Sequence, residues 1–281
     1  MLSRVESIRQ SKYAGVVYNL EVEEDNSYAT ECFVVHNCDP SRAENKFFDV
    51  DRIEEDMKRC REPKYVIGGV KYWGRYLPHH FYGLGSDHSE GIGIDANTMC
   101  LWDFYTGEIV ATQANNHIAP DLHADECMRV GNEFGACVWA PEVNNKCGGT
   151  VLTVAQTALY PNLFKQKRPG APGLPDKNTV GWMTTHASKI TMYMDFRRDY
   201  NDGKIIIYDL DLLKEMKAYS NSDLVEEETV LVTRHFDLLT GAVIGWQTRK
   251  TAMLIGGEPT EEELEQAEHE ERHVDDPFSV L

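Results

Sequence analysis

The chain has 281 residues, 42% of them apolar, and a formal net charge of −18. That apolar share can build a buried core and excludes wholesale disorder. The longest apolar runs fall far short of the roughly 20 residues a membrane span needs. No apolar stretch follows Met1 as in a secretory signal. The seven cysteines are scattered without a Cys-x-x-Cys pair, which favours neither a zinc site nor a disulfide framework and points to a reducing cytoplasm.

The charge is uneven. Residues 256–281 hold ten acids against one arginine, and residues 1–37 hold six acids against three bases, which leaves −6 for residues 38–255. That middle stretch offers no broad basic face for nucleic acid. It has only local basic spots, at Lys165-Gln-Lys167-Arg168, Arg197-Arg198 and Lys189. In chain order, residues 13–37 alternate apolar and polar side chains about a turn at Glu24-Asp25-Asn26-Ser27, a β-hairpin pattern. Residues 38–79 are mixed and charged, with a helix expected over 51–61. From 80 to 255 strands alternate with helices, which indicates an α/β layer fold. The strands are expected at 81–86, 98–105, 108–114, 136–141 and 204–208, and the helices at 120–134, 149–160, 187–200, 211–219 and 236–251. Prolines and glycines make 168–175 a loop. The tail from 256 is an acidic run, a solvated helix or disorder.

The segment Val17-Tyr-Asn-Leu-Glu-Val-Glu-Glu-Asp-Asn-Ser-Tyr28, followed by Phe33-Val-Val-His-Asn-Cys38, resembles the last two conserved blocks of inteins. The ending His36-Asn37-Cys38 is the most specific part. Asn37 can attack its own carbonyl through its side-chain amide, which breaks the 37–38 bond. His36 is placed to act as a general acid on that bond. Cys38 supplies a thiolate that accepts the upstream chain. The blander reading is an edge strand ending in a His-Asn turn. Asn26 stands where the related block often has His, which leaves open the group that assists the last steps. The opening nucleophile and the Thr/His block of an intein cannot fit before residue 17. The resemblance therefore implies a Hint-type C-terminal fragment, either of a split intein that splices in trans to a separate N-terminal partner or of a longer chain whose gene start is placed at an internal Met.

The second set of signals is acidic. Tyr82-Gly-Leu-Gly-Ser-Asp87 is an apolar strand ending in an aspartate, with a glycine-rich turn leading to Asp95. Val138-Trp-Ala-Pro-Glu142-Val-Asn-Asn145 is a strand ending in a glutamate and two amides. Arg234-His-Phe-Asp237 opens an amphipathic helix. Singly, Asp87 suits a turn, Glu142 a helix entry, and Asp237 a first helical turn, where the dipole favours an acid. Jointly, three acids at the ends of successive elements repel one another unless cations neutralise them. Hard oxygen ligands select Mg²⁺ or Mn²⁺, and a two-metal site can drive phosphodiester hydrolysis.

These residues resemble the RNase H-like nuclease domain of the large terminase of tailed phages, from Lys71-Tyr-Trp-Gly-Arg-Tyr76 to Arg249. Gly107-Glu-Ile-Val-Ala111, Tyr160-Pro-Asn-Leu-Phe164 and Gly181-Trp-Met-Thr-Thr185 add to the likeness. The resemblance implies an RNase H-like mixed sheet flanked by helices, with Asp87, Glu142 and Asp237 as catalytic metal ligands and Asp95 as an accessory acid. Lys189 is either a phosphate contact or a solvated helix charge. The Lys165–Arg168 cluster is expected to touch backbone phosphates in a sequence-blind mode. The family often has His-Asp-Asp where this chain has His235-Phe236-Asp237, so one accessory acid is absent. No P-loop is found: Gly68-Gly-Val-Lys71 lacks both the spacing and the hydroxyl. The implied organisation is an intein fragment over 1–37, a connector from an ATPase region over 38–79, the nuclease over 80–255 and an acidic tail over 256–281. The implied partners are double-stranded viral DNA, an N-terminal fragment carrying the ATPase, the portal and the small terminase subunit, in the host cytoplasm. The alternatives are another RNase H-like nuclease of resolvase or transposase type, or an inactive split-gene remnant.

Overall fold

A computed structural model describes residues 27–29, 34–36, 45–92, 95–168, 177–225 and 235–256. The chain divides into two units, Met1–Ala43 and Glu44–Leu281. The described part of the first is an antiparallel pair, β1 (Ser27–Ala29) and β2 (Val34–His36), with Ser27 opposite His36. Ser27 is already a strand residue, and the expected turn residues Glu24, Asp25 and Asn26 lie outside the described residues. Asn37, Cys38, most of the 168–175 loop and the tail beyond Gly256 lie outside the described residues.

The second unit contains, in order, α1 (Val50–Met57), β3 (Tyr65–Ile67), β4 (Val70–Tyr72), β5 (Tyr82–Asp87), β6 (Asn97–Asp103), β7 (Glu108–Asn115), α2 (Pro120–Glu133), β8 (Val138–Pro141), α3 (Lys146–Thr157), β9 (Lys165–Arg168), β10 (Lys177–Val180), α4 (His186–Asn201), α5 (Leu210–Ala218), α6 (Asn221–Val225), α7 (Asp237–Gln247) and α8 (Arg249–Gly256). Six strands form one mixed sheet in the order β3-β4-β7-β6-β5-β8. Every neighbouring pair is antiparallel except β5 and β8, which run parallel. No helix among the described residues is long and apolar enough to cross a membrane.

Strand alternation decides what each sheet face buries. On β6, which is buried along its whole length, Met99 and Leu101 join Tyr72, Leu84, Val130 and Trp139 in a core beneath α2 and α3. Thr98, Cys100 and Trp102 point the other way, against α7. Their side chains donate to the α7 carbonyls of Asp237, Leu238 and Ala242. On the same face, Phe47 and Phe48 pack with Phe196, Tyr200 and Tyr219 and seat the chain just before α1 in the core.

β5 and α7 approach closely enough for their backbones to touch. Gly83 and Gly85 occupy the positions of β5 that face the helix. A methyl group at Gly85 would fall 2.1 Å from the Gly245 nitrogen and 2.2 Å from the Gly241 carbonyl oxygen. Backbone meets backbone there, which only glycine allows. α7 is apolar nearly all round, as a helix enclosed on every side must be.

Several expected elements are corrected. Residues 204–208 are not a strand. Gly203 at φ 78° turns the chain out of α4, and only Ile206 pairs with β7, through Ile206 N to Gly107 O at 2.9 Å and Ile109 N to Ile206 O at 3.1 Å. Ile205 and Ile207 are drawn into the helical core before Asp209 caps α5. The expected helix over 236–251 breaks in two at Thr248, whose hydroxyl donates to the Gly245 carbonyl at 2.8 Å, and α8 runs on beyond it to Gly256. α3 starts early, at Lys146, because the Asn145 side chain caps it. The hairpins β3–β4 and β9–β10 were not anticipated, and the basic cluster at Lys165 is a strand.

The β5–α7 contact can be tested by two alanines. Gly85→Ala is expected to cost about 2–3 kcal/mol through overpacking against backbone. Gly149→Ala, in α3 with nothing within 4 Å of its new methyl, is expected to stabilise by about 0.5–1 kcal/mol by restricting the unfolded chain. Thermal unfolding of both variants checks the contrast. Equal effects would contradict it.

Candidate active site

The parallel pairing of β5 and β8 sets two acids side by side. Ser86 lies opposite Pro141, and Glu142 N donates to Ser86 O at 2.9 Å, so Asp87 and Glu142 leave the sheet at the same end. Asp87 Oδ1 accepts from its neighbour's amide, His88 N, at 2.7 Å. Glu142 Oε1 accepts from the Thr184 hydroxyl and from Asn144 Nδ2 at 3.2 Å. Asn144 in turn clamps Thr184, accepting from its amide at 2.7 Å and donating to its carbonyl at 3.0 Å.

The third acid comes from the helix. Asp237 is the first residue of α7. Its Oδ2 accepts from Ala96 N at 2.8 Å, and its carbonyl accepts from Thr98 Oγ1 at 2.8 Å, so the entry to β6 holds it on both sides. Asp237 bears electrostatically on Asp87, as does Glu142, which shares a hydrogen bond with it. Burial first, then the Glu142 charge and that shared bond, then Asp237, hold the Asp87 carboxyl well above the usual carboxylate range. The His88 amide opposes them only in part. Tyr193, whose hydroxyl meets Thr240 Oγ1 at 3.0 Å, feels both Asp87 and Glu142 and lies with them.

A second group overlaps the first. Asp95 Oδ1 pairs with His235 Nδ1 at 2.5 Å, and one ligand atom from each of Asp95, His235 and Asp237 lies within 4.8 Å of the others. Asp237 thus belongs to both groups. His235 sits two residues before Asp237 in the sequence, but nothing in the sequence links it to Asp95. Lys189 is turned to α6, where its ammonium donates to the Asp223 carbonyl at 2.8 Å.

Beneath the acids runs a buried polar chain that sequence reading missed. Trp139 Nε1 donates to Ser86 Oγ at 2.8 Å, Ser86 Oγ meets His88 Nε2 at 3.0 Å, and His88 Nδ1 meets His123 Nδ1 at 3.2 Å. Burial, then the neighbouring His123, pushes His88 well below its ordinary pKa, and burial takes His123 down to about 3, so both rings are neutral near pH 7. On the other flank, Glu215 of α5 accepts from Leu239 N at 2.8 Å, and burial pushes its carboxyl up to about 8, with Asp237 and Asp209 adding to the rise.

No protein-family model matches the chain, and no curated protein matches it. Solved structures do. The large terminase nuclease of the thermophilic phage G20c with bound magnesium aligns at a TM-score of 0.53 and 12% identity, over 73% of this chain and 98% of that one. The same nuclease with bound cobalt gives the same figures. The large terminase nuclease domain of Thermus phage P74-26 aligns at 0.50 and 12% identity, over 70% and 94%. At this identity the likeness is one of fold: an RNase H-like mixed sheet flanked by helices.

The acid cluster has a consequence for stability without metal. Between the unfolded value of 3.8 and its raised folded value, Asp87 holds a proton in the native state that the unfolded chain has lost. Its contribution to stability is therefore present at low pH and falls as pH rises through the folded value. Glu215 acts with the same sign up to about pH 8. Asp87→Asn is expected to raise the melting temperature of the metal-free chain at pH 7, by roughly 2–4 °C per kcal/mol of repulsion relieved. The gain should shrink towards pH 4. A variant no more stable than wild type at pH 7 would contradict the repulsion.

Proposed function

We propose that this chain is the nuclease half of a phage large terminase, a divalent-cation-dependent endonuclease that cuts double-stranded viral DNA during packaging. The observation that carries this reading is the convergence of Asp87, Glu142 and Asp237 from a strand, the end of its parallel neighbour and a helix start, with Asp87 held above the carboxylate range by burial and then by the other two. Such an arrangement is unfavourable alone and becomes favourable with a cation among the carboxylates. The donor set is carboxylate oxygen with one imidazole at its edge, which suits Mg²⁺ or Mn²⁺. The structural neighbours, terminase nucleases with bound magnesium or cobalt, support the same assignment.

Asp87, Glu142 and Asp237 would hold the catalytic ions, with Asp95 and His235 completing a second group around Asp237. When bound, the ions supply the Lewis acidity that activates an attacking water and stabilises the leaving oxygen. The chain's own residues supply position. Ala96 N–H aims the Asp237 carboxylate, the Thr184–Asn144 clamp fixes Glu142, and the His88 amide orients Asp87. The β9–β10 hairpin, which carries Lys165 and Lys167 and continues into Trp182 beside Glu142, supplies charge for the DNA backbone. Lys189 serves here as a brace for α6 that leaves the backbone contacts to the hairpin.

We further infer from His36-Asn37-Cys38 that residues 1–37 are a C-terminal intein fragment, spliced away as Cys38 joins an ATPase-bearing partner. The packaging motor so formed would work with the portal and the small terminase subunit. This reading rests on sequence chemistry alone.

Nicking of supercoiled plasmid in Mn²⁺ tests the nuclease. Asp87→Asn and Glu142→Gln are each expected to lower the rate at least about a hundredfold, equivalent to about 3 kcal/mol of transition-state stabilisation. Nicking unchanged in both variants would refute the assignment. For splicing, mixing with the cognate N-terminal partner should release a fragment ending at Asn37. The same product pattern from Asn37→Ala would rule splicing out.

A further inference from the structure

A helix leaves its first four N–H groups without intrahelical partners. They are usually met by a Ser, Thr, Asp or Asn at the N-cap. At the start of α7 that position is Phe236, whose side chain offers no acceptor, and the helix has no side-chain cap of its own. The acceptor comes from another element. Glu215, in the second turn of α5, takes the Leu239 N–H on Oε2 at 2.8 Å, and its carboxylate also meets the Leu238 amide. Four residues on, the Tyr219 ring packs edge-on against Phe236, with centroids 4.9 Å apart and planes at 75°. α5 thus grips both the N-cap residue and the first-turn amides of α7.

α5 is itself fixed. Its N-cap Asp209 accepts from Thr112 Oγ1 of β7 at 2.6 Å. Asp211 pairs with Lys71 of β4 at 2.9 Å, and Lys217 pairs with Glu54 of α1 at 3.1 Å. The residue at the start of the gripped turn is Asp237. Its direction depends on that turn staying wound, since its carbonyl and its carboxylate are both held by the β6 entry at fixed spacing.

We propose that Glu215 is a positioning residue for Asp237, capping α7 from α5 so that the Asp237 carboxylate is presented to a cation in one orientation. The inference rests on the reading of Asp237 as a metal ligand. The function needed is an acceptor oxygen rather than a charge, because a protonated carboxyl keeps its carbonyl oxygen. A glutamine should therefore serve as well.

Mn²⁺ binding to the full chain by titration calorimetry tests this, with amide exchange at Leu239 measured beside it. Glu215→Ala is expected to weaken Mn²⁺ binding about tenfold, the effect of a lost cap, and to speed exchange at Leu239. Glu215→Gln should stay within about twofold of wild type on both readouts. Asp49→Ala removes the cap of the remote helix α1, where Asp49 accepts from Arg52 N. It should lower the melting temperature comparably and leave Mn²⁺ affinity unchanged, which separates positioning from general loss of stability. Wild-type affinity in Glu215→Ala, or weakening in Glu215→Gln equal to that of the alanine variant, would overturn the proposal while leaving the nuclease reading intact. If Glu215→Ala does not fold, Leu239 exchange in Glu215→Gln decides: wild-type protection upholds the cap and fast exchange overturns it. Failure of the wild type to bind Mn²⁺ would overturn the nuclease reading and the positioning of a metal ligand with it.

Discussion

The site depends on the backbone contact between β5 and α7. Ordinary helix-on-sheet packing keeps side chains between the two elements and separates their axes by about 10 Å. Gly83 and Gly85 on the strand, with Gly241 and Gly245 on the helix, remove those side chains and let the chains touch. The result is that the first residue of α7 arrives beside the last residue of β5. Glycine within a helix costs about 1 kcal/mol relative to alanine. Donation from Thr98, Cys100 and Trp102 to the helix carbonyls, together with burial of Leu239, Val243 and Trp246, offsets that cost.

A helix so enclosed cannot satisfy its first amides with water. Phe236 is committed to packing on Tyr219 and supplies no cap. The missing acceptor is found on α5, in Glu215. The close approach that builds the acid cluster therefore also determines which residues must hold it in place. The cluster is repulsive on its own terms, and its donors come mostly from backbone amides at His88 and Ala96 and from the Thr184 hydroxyl. These hold direction without neutralising charge.

The parts of this arrangement that were legible in the sequence are those written in local pattern. An apolar run ending in Asp87, another ending in Glu142, and an acid at the start of an amphipathic helix all mark element ends, and the helices α2 to α5 show in the periodicity to within a few residues. The resemblance to the terminase nuclease anticipated the RNase H-like sheet. What was not legible is tertiary. Glu215 looks like any exposed helix acid until α7 is laid against it. His88 and His123 lie 35 residues apart and meet only across the sheet. Three-residue strands such as β3 and β4 are too short to show alternation. The run 204–208 has strand composition, but the core claims Ile205 and Ile207 before a ladder can form. The meaning of Gly85, Gly241 and Gly245 likewise lies in their contact with one another rather than in any local turn.

The metal-binding role proposed for Asp87, Glu142 and Asp237 is open to direct observation by anomalous X-ray scattering from crystals of the full chain grown with Mn²⁺. A manganese peak at coordination distance from both Asp87 and Asp237, with Glu142 in the same shell, is the expected result. Manganese found only elsewhere on the chain, or no bound manganese while the three carboxylates stay in place, would contradict it.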